Sequence, residues 1–212
     1  MRKLTPELLD HLSHDDPGAI RSRRDLRRVN HFMGNNSWIL NHISSDAESI
    51  TEIGSGDGHL LALISKKLPD AELTAYDLAP RPGNLPRRIN WIQGDILHQP
   101  PPRIGGILIA NLFLHHFTDK QLSSLAPWLH HFDTLIVNEP LRSKFPLLLG
   151  KAAYPFIHPI TRHDMRVSIE AGFVINELPT LLHLDGHGFS TRESATWRGS
   201  VRLFSQKEHK FN

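Results

Sequence analysis

Ile50-Thr51-Glu52-Ile53-Gly54-Ser55-Gly56-Asp57-Gly58 sets a β-branched apolar run directly before a turn containing three glycines. Ser49 to Ile53 therefore reads as a short strand, and Leu60, Leu61, Ile64 and Leu68 follow at helical spacing. A strand, a glycine-rich turn and a helix in immediate succession let backbone approach a ligand closely and present the free N–H groups of the helix start to an anion. A dinucleotide fingerprint would need glycine at position 59, where the chain has His59. A P-loop would need Gly-Lys-Ser/Thr, which is absent.

Downstream, strands and helices alternate. Ala71 to Asp77, Ile89 to Ile92, Gly106 to Ala110, Thr134 to Val137, Phe173 to Ile175 and Val201 to Ser205 read as further strands. Gly106 to Ala110 is apolar throughout, as a central parallel strand should be. Thr118-Asp119 opens a helix with Leu122, Leu125 and Leu129 on one face, and Arg162 to Ala171 reads as another, ended by Gly172. Residues 141–158 are apolar and broken by proline. Repeated strand–helix–strand units predict α/β architecture with a mostly parallel sheet.

Upstream, residues 1–45 are polar and helical in texture, and the boundary to a sheet domain of residues 46–212 falls near residue 46. Thr5-Pro6-Glu7 predicts a short helix, and Asp15-Asp16-Pro17-Gly18 a turn. Ala19 to Met33 predicts a helix with Leu26, Val29 and Met33 on its buried face. Gly34 ends it, and helix resumes through Ile43.

Composition narrows the functional classes. The 212 residues are 39% hydrophobic and 22% charged, an ordinary globular balance. A net charge of +2 creates no demand for nucleic acid. Arg21, Arg23, Arg24, Arg27 and Arg28, with Asp15, Asp16 and Asp25 close by, read as a solvated face. The absence of cysteine excludes disulfides, thiolate zinc sites and a cysteine nucleophile, and fits a reducing cytoplasm. No secretory-type apolar run or transmembrane stretch is present, so a cytoplasmic protein is expected. Fifteen histidines occur without H-E-x-x-H or similar spacing, so no metal is expected.

An acidic residue followed by Gly-x-Gly-x-Gly after a first strand resembles motif I of the class I S-adenosylmethionine-dependent methyltransferases. The resemblance covers residues 48–206. It implies a Rossmann-like fold: a seven-stranded, mostly parallel sheet sandwiched by helices, here with the helical N-terminal appendage. It also implies that Glu52, Gly54, Ser55, Gly56 and Gly58 hold S-adenosylmethionine. Asp77, 23 residues after Gly54, stands where the family places a carboxylate on the two ribose hydroxyls, with Leu78 beside it. Gly94-Asp95-Ile96 resembles the adenine site, where a carboxylate takes the exocyclic amine and the next backbone N–H reaches a ring nitrogen. Asn111 matches a position that lines the methyl-transfer site.

Methyl transfer from a sulfonium is an in-line displacement, for which the protein mainly supplies proximity and orientation. A hydroxyl acceptor must also lose its proton, a task suited to histidine at neutral pH. His115 and His116, shortly after the fourth strand, are candidate bases or turn-capping residues. Glu139, ending the fifth strand, orients a histidine or the substrate, or caps a loop. His163 and Asp164 start a helix or line the site, and Phe145 to Ile157 cover an apolar acceptor or fill the core. The N-terminal helices and residues 141–160 are expected to close jointly over the acceptor.

A narrower resemblance rests on Glu7-Leu8-Leu9-Asp10, Arg24-Asp25-Leu26-Arg27-Arg28-Val29-Asn30, Asn111-Leu112-Phe113-Leu114-His115-His116-Phe117, Asn138-Glu139-Pro140 and Arg162-His163-Asp164. These strings are similar to a bacterial subgroup encoded beside type III polyketide synthases, which implies a phenolic or quinone-like lipid as substrate. The expected activity is thus metal-independent methylation, on oxygen, of a small apolar or aromatic compound. One rival is a nucleic-acid methyltransferase, but the fourth strand lacks the Asn/Asp-Pro-Pro-aromatic string and there is no cysteine to attack a pyrimidine. The other is a non-catalytic S-adenosylmethionine-binding domain.

Overall fold

The computed structural model describes residues 1–13, 16–100 and 103–208. One sheet is built from β1 (Ser49–Ile53), β2 (Glu72–Asp77), β3 (Ile89–Gln93), β4 (Ile107–Asn111), β5 (Thr134–Pro140), β6 (Phe189–Ala195) and β7 (Ser200–Lys207), whose side chains point alternately to its two faces. Their order is β3-β2-β1-β4-β5-β7-β6. β1 to β5 are parallel, β7 runs antiparallel to β5, and β6 pairs antiparallel with β7. The order reverses between β1 and β4, so a crevice opens at their carboxyl ends, where ligands bind in such sheets.

The helices are α1 (Pro17–Met33), α2 (Asn35–His42), α3 (His59–Lys67), α4 (Asp119–Leu129), α5 (Lys144–Ala153), α6 (Pro159–Ala171) and α7 (Glu177–Leu181). Ile107 and Ile109 of β4 belong to a core with Ile39 of α2 and Leu60, Leu61 and Ile64 of α3. Leu108 and Ala110 belong to the opposite core, with Leu122, Leu125 and Leu129 of α4 and Leu178 of α7. Period two in the strand thus meets a helix stripe on each face. Among the described residues, no helix is long and apolar enough to cross a membrane.

Several local expectations are corrected. Phe173 makes only an isolated bridge to Leu141, so Phe173 to Ile175 is no strand. The seventh strand is β6, an edge strand whose sequence Phe-Ser-Thr-Arg-Glu-Ser-Ala lacks the expected apolar alternation. Thr5 to Glu7 forms no helix; a 3-10 turn covers Leu9–His11. α1 buries Ala19, Ser22 and Asp25 rather than Leu26, Val29 and Met33. Its neighbour α6 presents polar groups: the Thr161 hydroxyl donates to Ser22 Oγ at 3.0 Å, and the His158 N–H to Asp25 Oδ2 at 2.8 Å. Asp16 caps α1 by accepting the Ala19 N–H, whereas Asp15 of the expected turn lies outside the described residues.

Residues 144–153 form α5 and Tyr154–Phe156 a 3-10 turn, and Pro159 starts α6 ahead of the expected Arg162. His163 and Asp164 therefore lie within α6. Phe145, Leu148 and Phe156 are 54%, 68% and 83% exposed, so this segment leaves much of its apolar surface uncovered.

The first residues form a strap across α6. The N–H groups of Leu8 and Leu9 donate to the two oxygens of buried Asp164, at 2.7 and 3.1 Å. Arg2 is buried and donates to the carbonyls of Ala171 and His115 and to the Asp119 carboxylate. Its guanidinium lies 4.1 Å from the centre of the Phe173 ring.

Candidate active site

The quoted stretch turns sharply at the end of β1. Gly54, Gly56 and Gly58 have φ of 69°, 56° and 70°, the left-handed region that side chains with a Cβ avoid. A Cβ at Gly54 would lie 2.1 Å from the Phe113 ring, whereas one at Gly56 meets nothing within 4 Å. The turn is thus closed beneath Gly54 and open above Gly56. Asp77, ending β2, reaches across: its Oδ2 accepts the Gly56 N–H at 2.7 Å and its Oδ1 the Ala79 N–H at 2.8 Å. Leu78 beside it is exposed. After β3, Asp95 caps the 3-10 turn Ile96–His98, accepting the Leu97 N–H at 3.0 Å, and Ile96 is buried beneath it.

Glu52 is buried behind the glycine turn, and its Oε2 has no hydrogen-bond partner. Burial above all, then the charges of Asp77 and Asp57, push its carboxyl up to about 8 against the opposing effect of Ser55. A cationic ligand in the turn would reverse that balance. At the end of β4, Asn111 accepts a hydrogen bond from the Asn138 amide at 2.9 Å. Leu112 then turns the chain with φ 56°.

The turn after β4 carries a second cluster. Buried Glu139 of β5 accepts the N–H groups of Phe113, Leu114 and His115, and its Oε2 lies 2.8 Å from His115 Nδ1. The other ring nitrogen of His115, Nε2, lies 3.5 Å from Oε1 of Glu7, contributed by the strap. Burial works against charge on His115, but the hydrogen bond to Glu139 and the Glu7 carboxylate outweigh it and push the ring up to about 9. Burial and the neighbouring His115 charge act the other way on His116 and lower it. Glu7 is lowered: burial opposes its charge, but the neighbouring His115 ring, the charge of His116 and a hydrogen bond from Ser168 prevail.

Glu7, His115 and His116 line a cavity of about 280 Å³ with Asp10, Leu4, Thr5, Pro6 and three residues of α6. The Phe113 ring links the two regions, packed on Gly54 on one side and 6.4 Å from the His116 ring centre on the other.

Solved structures share this fold. The plantazolicin methyltransferase BpumL, in complex with a triazolic desmethylPZN analog and SAH, superposes with a TM-score of 0.70 at 15% identity, over 92% of each chain. The fold is the class I methyltransferase fold. Human N-acetylserotonin methyltransferase in complex with SAM gives 0.64 at 17% identity, over 94% of this chain and 61% of that one. The S-adenosylmethionine-dependent methyltransferase SibL, in its apo form, gives 0.65 at 14%, over 98% of this chain and 64% of that one. No protein-family model and no curated protein matches the sequence.

Within this methyltransferase fold, the glycine turn, Asp77, Leu78, Asp95 and Ile96 follow the carboxyl ends of three adjacent strands, β1, β2 and β3. Asn111, His115, His116 and Glu139 follow from β4 and β5. Asp164 holds the strap, and its neighbour His163 hydrogen-bonds to it. Residues 144–156 are absent from the cavity wall, which the strap, α6 and the turn after β4 supply. Sequence reasoning missed Glu7, Asp10 and Arg2 as site residues. The only signal for Glu7 and Asp10 is the string Glu7-Leu8-Leu9-Asp10, far from position 115 in the chain, and Arg2 has none.

Proposed function

We propose that the chain transfers a methyl group from S-adenosylmethionine to a small apolar or aromatic acceptor, on oxygen. The observation that carries this reading is the open glycine turn at Gly56, flanked by Asp77 and backed by a buried Glu52 oxygen without a partner. Such a cradle suits a ligand with a diol for Asp77 and positive charge for Glu52. Gly54, Ser55, Gly56 and Gly58 would bring backbone close to it; Asp95 and Ile96 would hold the adenine with Leu78 beside them, and Asn111 would line the methyl-transfer site.

The cofactor supplies a methyl on a sulfonium: a C–O bond forms to the acceptor, the C–S pair stays on sulfur, and the acceptor proton must leave. His116, about one-third exposed on the cavity, is the group placed to take that proton; His115, enclosed between two carboxylates, positions it, and Glu139 fixes His115. The strap encloses the acceptor and limits water. A small acceptor agrees with the compounds named for the structural neighbours, N-acetylserotonin and a desmethylPZN analog. The resemblance to the polyketide-synthase-associated subgroup favours a phenolic or quinone-like lipid, and the lack of cysteine a cytoplasmic setting.

Calorimetry with S-adenosylmethionine and with NAD tests the cofactor, and labelled-methyl transfer to a panel of alkylphenols and quinols tests the acceptor. Binding of S-adenosylmethionine alone, with transfer to the panel, is expected. Binding of NAD in its place would overturn the reading, and cofactor binding with no transfer to any acceptor class would favour a non-catalytic domain.

A further inference from the structure

We propose that Glu7, His115 and His116 bind a divalent transition-metal ion, zinc foremost, with an open coordination position facing the cavity. One ligand atom from each residue falls within a group whose members all lie within 4.8 Å of one another. His115 Nε2 is buried and has no hydrogen-bond partner, and it faces Glu7 Oε1 at 3.5 Å. Neighbouring ligand atoms on a tetrahedral zinc with bonds of about 2.0–2.2 Å are roughly 3.3–3.5 Å apart. The separation of His115 Nε2 from Glu7 Oε1 matches that spacing.

The support behind the ligands points the same way. Glu139 holds Nδ1 of His115 at 2.8 Å, which leaves Nε2 as the donor and fixes the ring plane. A carboxylate behind a ligating histidine is the usual outer partner of such a metal ligand. Two imidazoles and a carboxylate suit zinc or a neighbouring first-row ion rather than calcium or magnesium. Glu7 and Glu139 face opposite nitrogens of the one His115 ring, at 3.5 and 2.8 Å.

Three protein ligands leave one position free, the pattern of a metal centre that works on a substrate. All three residues line the cavity of about 280 Å³, so that position opens on space rather than on packed atoms. This inference deepens the proposed function and rests on it in one respect only: the acceptor oxygen would occupy the open position, where the ion eases loss of its proton to Asp10 of the same cavity, because a metal-bound His116 would act as a ligand and no longer as the base. It replaces the metal-free expectation drawn from sequence, because no local spacing can reveal ligands shared between the strap and the turn after β4.

The experiment is metal titration of chelator-stripped protein with Zn²⁺, and with Co²⁺ as a spectroscopic substitute. One equivalent should bind to wild type, and Co²⁺ should give the intense visible bands of a tetrahedral site. Glu7→Gln and His116→Ala should each weaken Zn²⁺ binding about 100-fold or more. Both side chains border the cavity, and thermal melts verify that each variant is folded. Wild type that takes up no ion, or variants that bind as tightly as wild type through other histidines, would overturn the site. S-adenosylmethionine affinity, measured on the same samples, separates the two proposals. Metal uptake without cofactor binding sinks the methyltransferase reading alone, and cofactor binding without metal uptake sinks the metal site alone.

Discussion

The carboxylate of Glu139 lies 2.8 Å from the ring of His115 and also accepts that residue's own N–H. One buried side chain thereby fixes both the backbone and the ring of the turn after β4. Glu139 accepts the Phe113 and Leu114 N–H groups as well, four donors in all, and no water reaches it. Glu139→Gln puts an N–H₂ where acceptors are required, and should cost on the order of 3 kcal/mol. Denaturant unfolding measures this directly. A wild-type midpoint would show that the turn is held by other contacts.

The two neighbouring glycines should respond differently to alanine. At Gly54 the new methyl collides with Phe113 at 2.1 Å, so Gly54→Ala should destabilise the protein by more than the roughly 1–2 kcal/mol of a left-handed backbone. At Gly56 nothing lies within 4 Å, and Gly56→Ala should cost only that backbone penalty. Its methyl enters the cradle, however, and S-adenosylmethionine affinity should fall tenfold or more, about 1.4 kcal/mol. Thermal melting and calorimetry on the pair decide the matter; equal stability losses would contradict the packing at Gly54.

Asp77 has one oxygen on Gly56 and the other on Ala79, at 2.7 and 2.8 Å. Both still offer lone pairs to a diol. Asp77→Ala should reduce cofactor affinity about tenfold or more, through loss of charge-assisted hydrogen bonds worth about 1.5–3 kcal/mol each. Asp77→Asn, which keeps one acceptor, should fall between. An unchanged Kd in the alanine variant would remove Asp77 from the site.

Glu52 makes stability depend on pH. Its folded pKa is raised from 4.5 to about 8, so between those values the folded protein holds a proton that the unfolded chain has released. Stability unaffected by this residue below pH 4.5 should therefore decline as pH rises toward 8. Glu52→Gln should flatten this slope, leaving the variant more stable than wild type at pH 8. Unfolding curves at pH 5 and pH 8 for both proteins provide the measurement. Parallel pH profiles would mean that Glu52 is ionised in the fold.

The strap offers a way to separate cofactor binding from transfer. Arg2 anchors it through Ala171, His115 and Asp119, whereas the glycine turn, Asp77 and Asp95 lie on other elements. Removing residues 1–12 should abolish methyl transfer and change cofactor affinity less than about threefold, under 1 kcal/mol. A truncated protein that transfers at the wild-type rate would reduce the strap to packing.

The strands of the sheet interior were readable because burial on both faces leaves continuous apolar runs such as Ile107 to Ala110. β6 was not, since an edge strand with Ser190, Arg192 and Ser194 satisfies its backbone without apolar alternation. The buried face of α1 was misplaced for a related reason. Apolar spacing pointed to Leu26, Val29 and Met33, while Ser22 and Asp25 are covered by a polar partner that only tertiary structure brings near. In the site, the glycine turn and the carboxylates after β2 and β3 are local to strand ends and could be read one by one. Glu7 could not, since nothing in its neighbours indicates that the strap crosses α6 to reach His115.

That polar seam between α1 and α6 has a dynamic consequence. Asp25 accepts the His158 N–H and Ser22 the Thr161 hydroxyl, so hydrogen bonds rather than a broad apolar stripe hold this part of α1 in place. Water can replace such contacts one for one. α1 is therefore suited to detach and return while the sheet stays intact, and its amides should lose hydrogen-exchange protection well before those of β4 and β5. Arg27 of α1 rests 3.2 Å from Asp57 in the glycine turn, so such an opening would also break the ion pair over that turn.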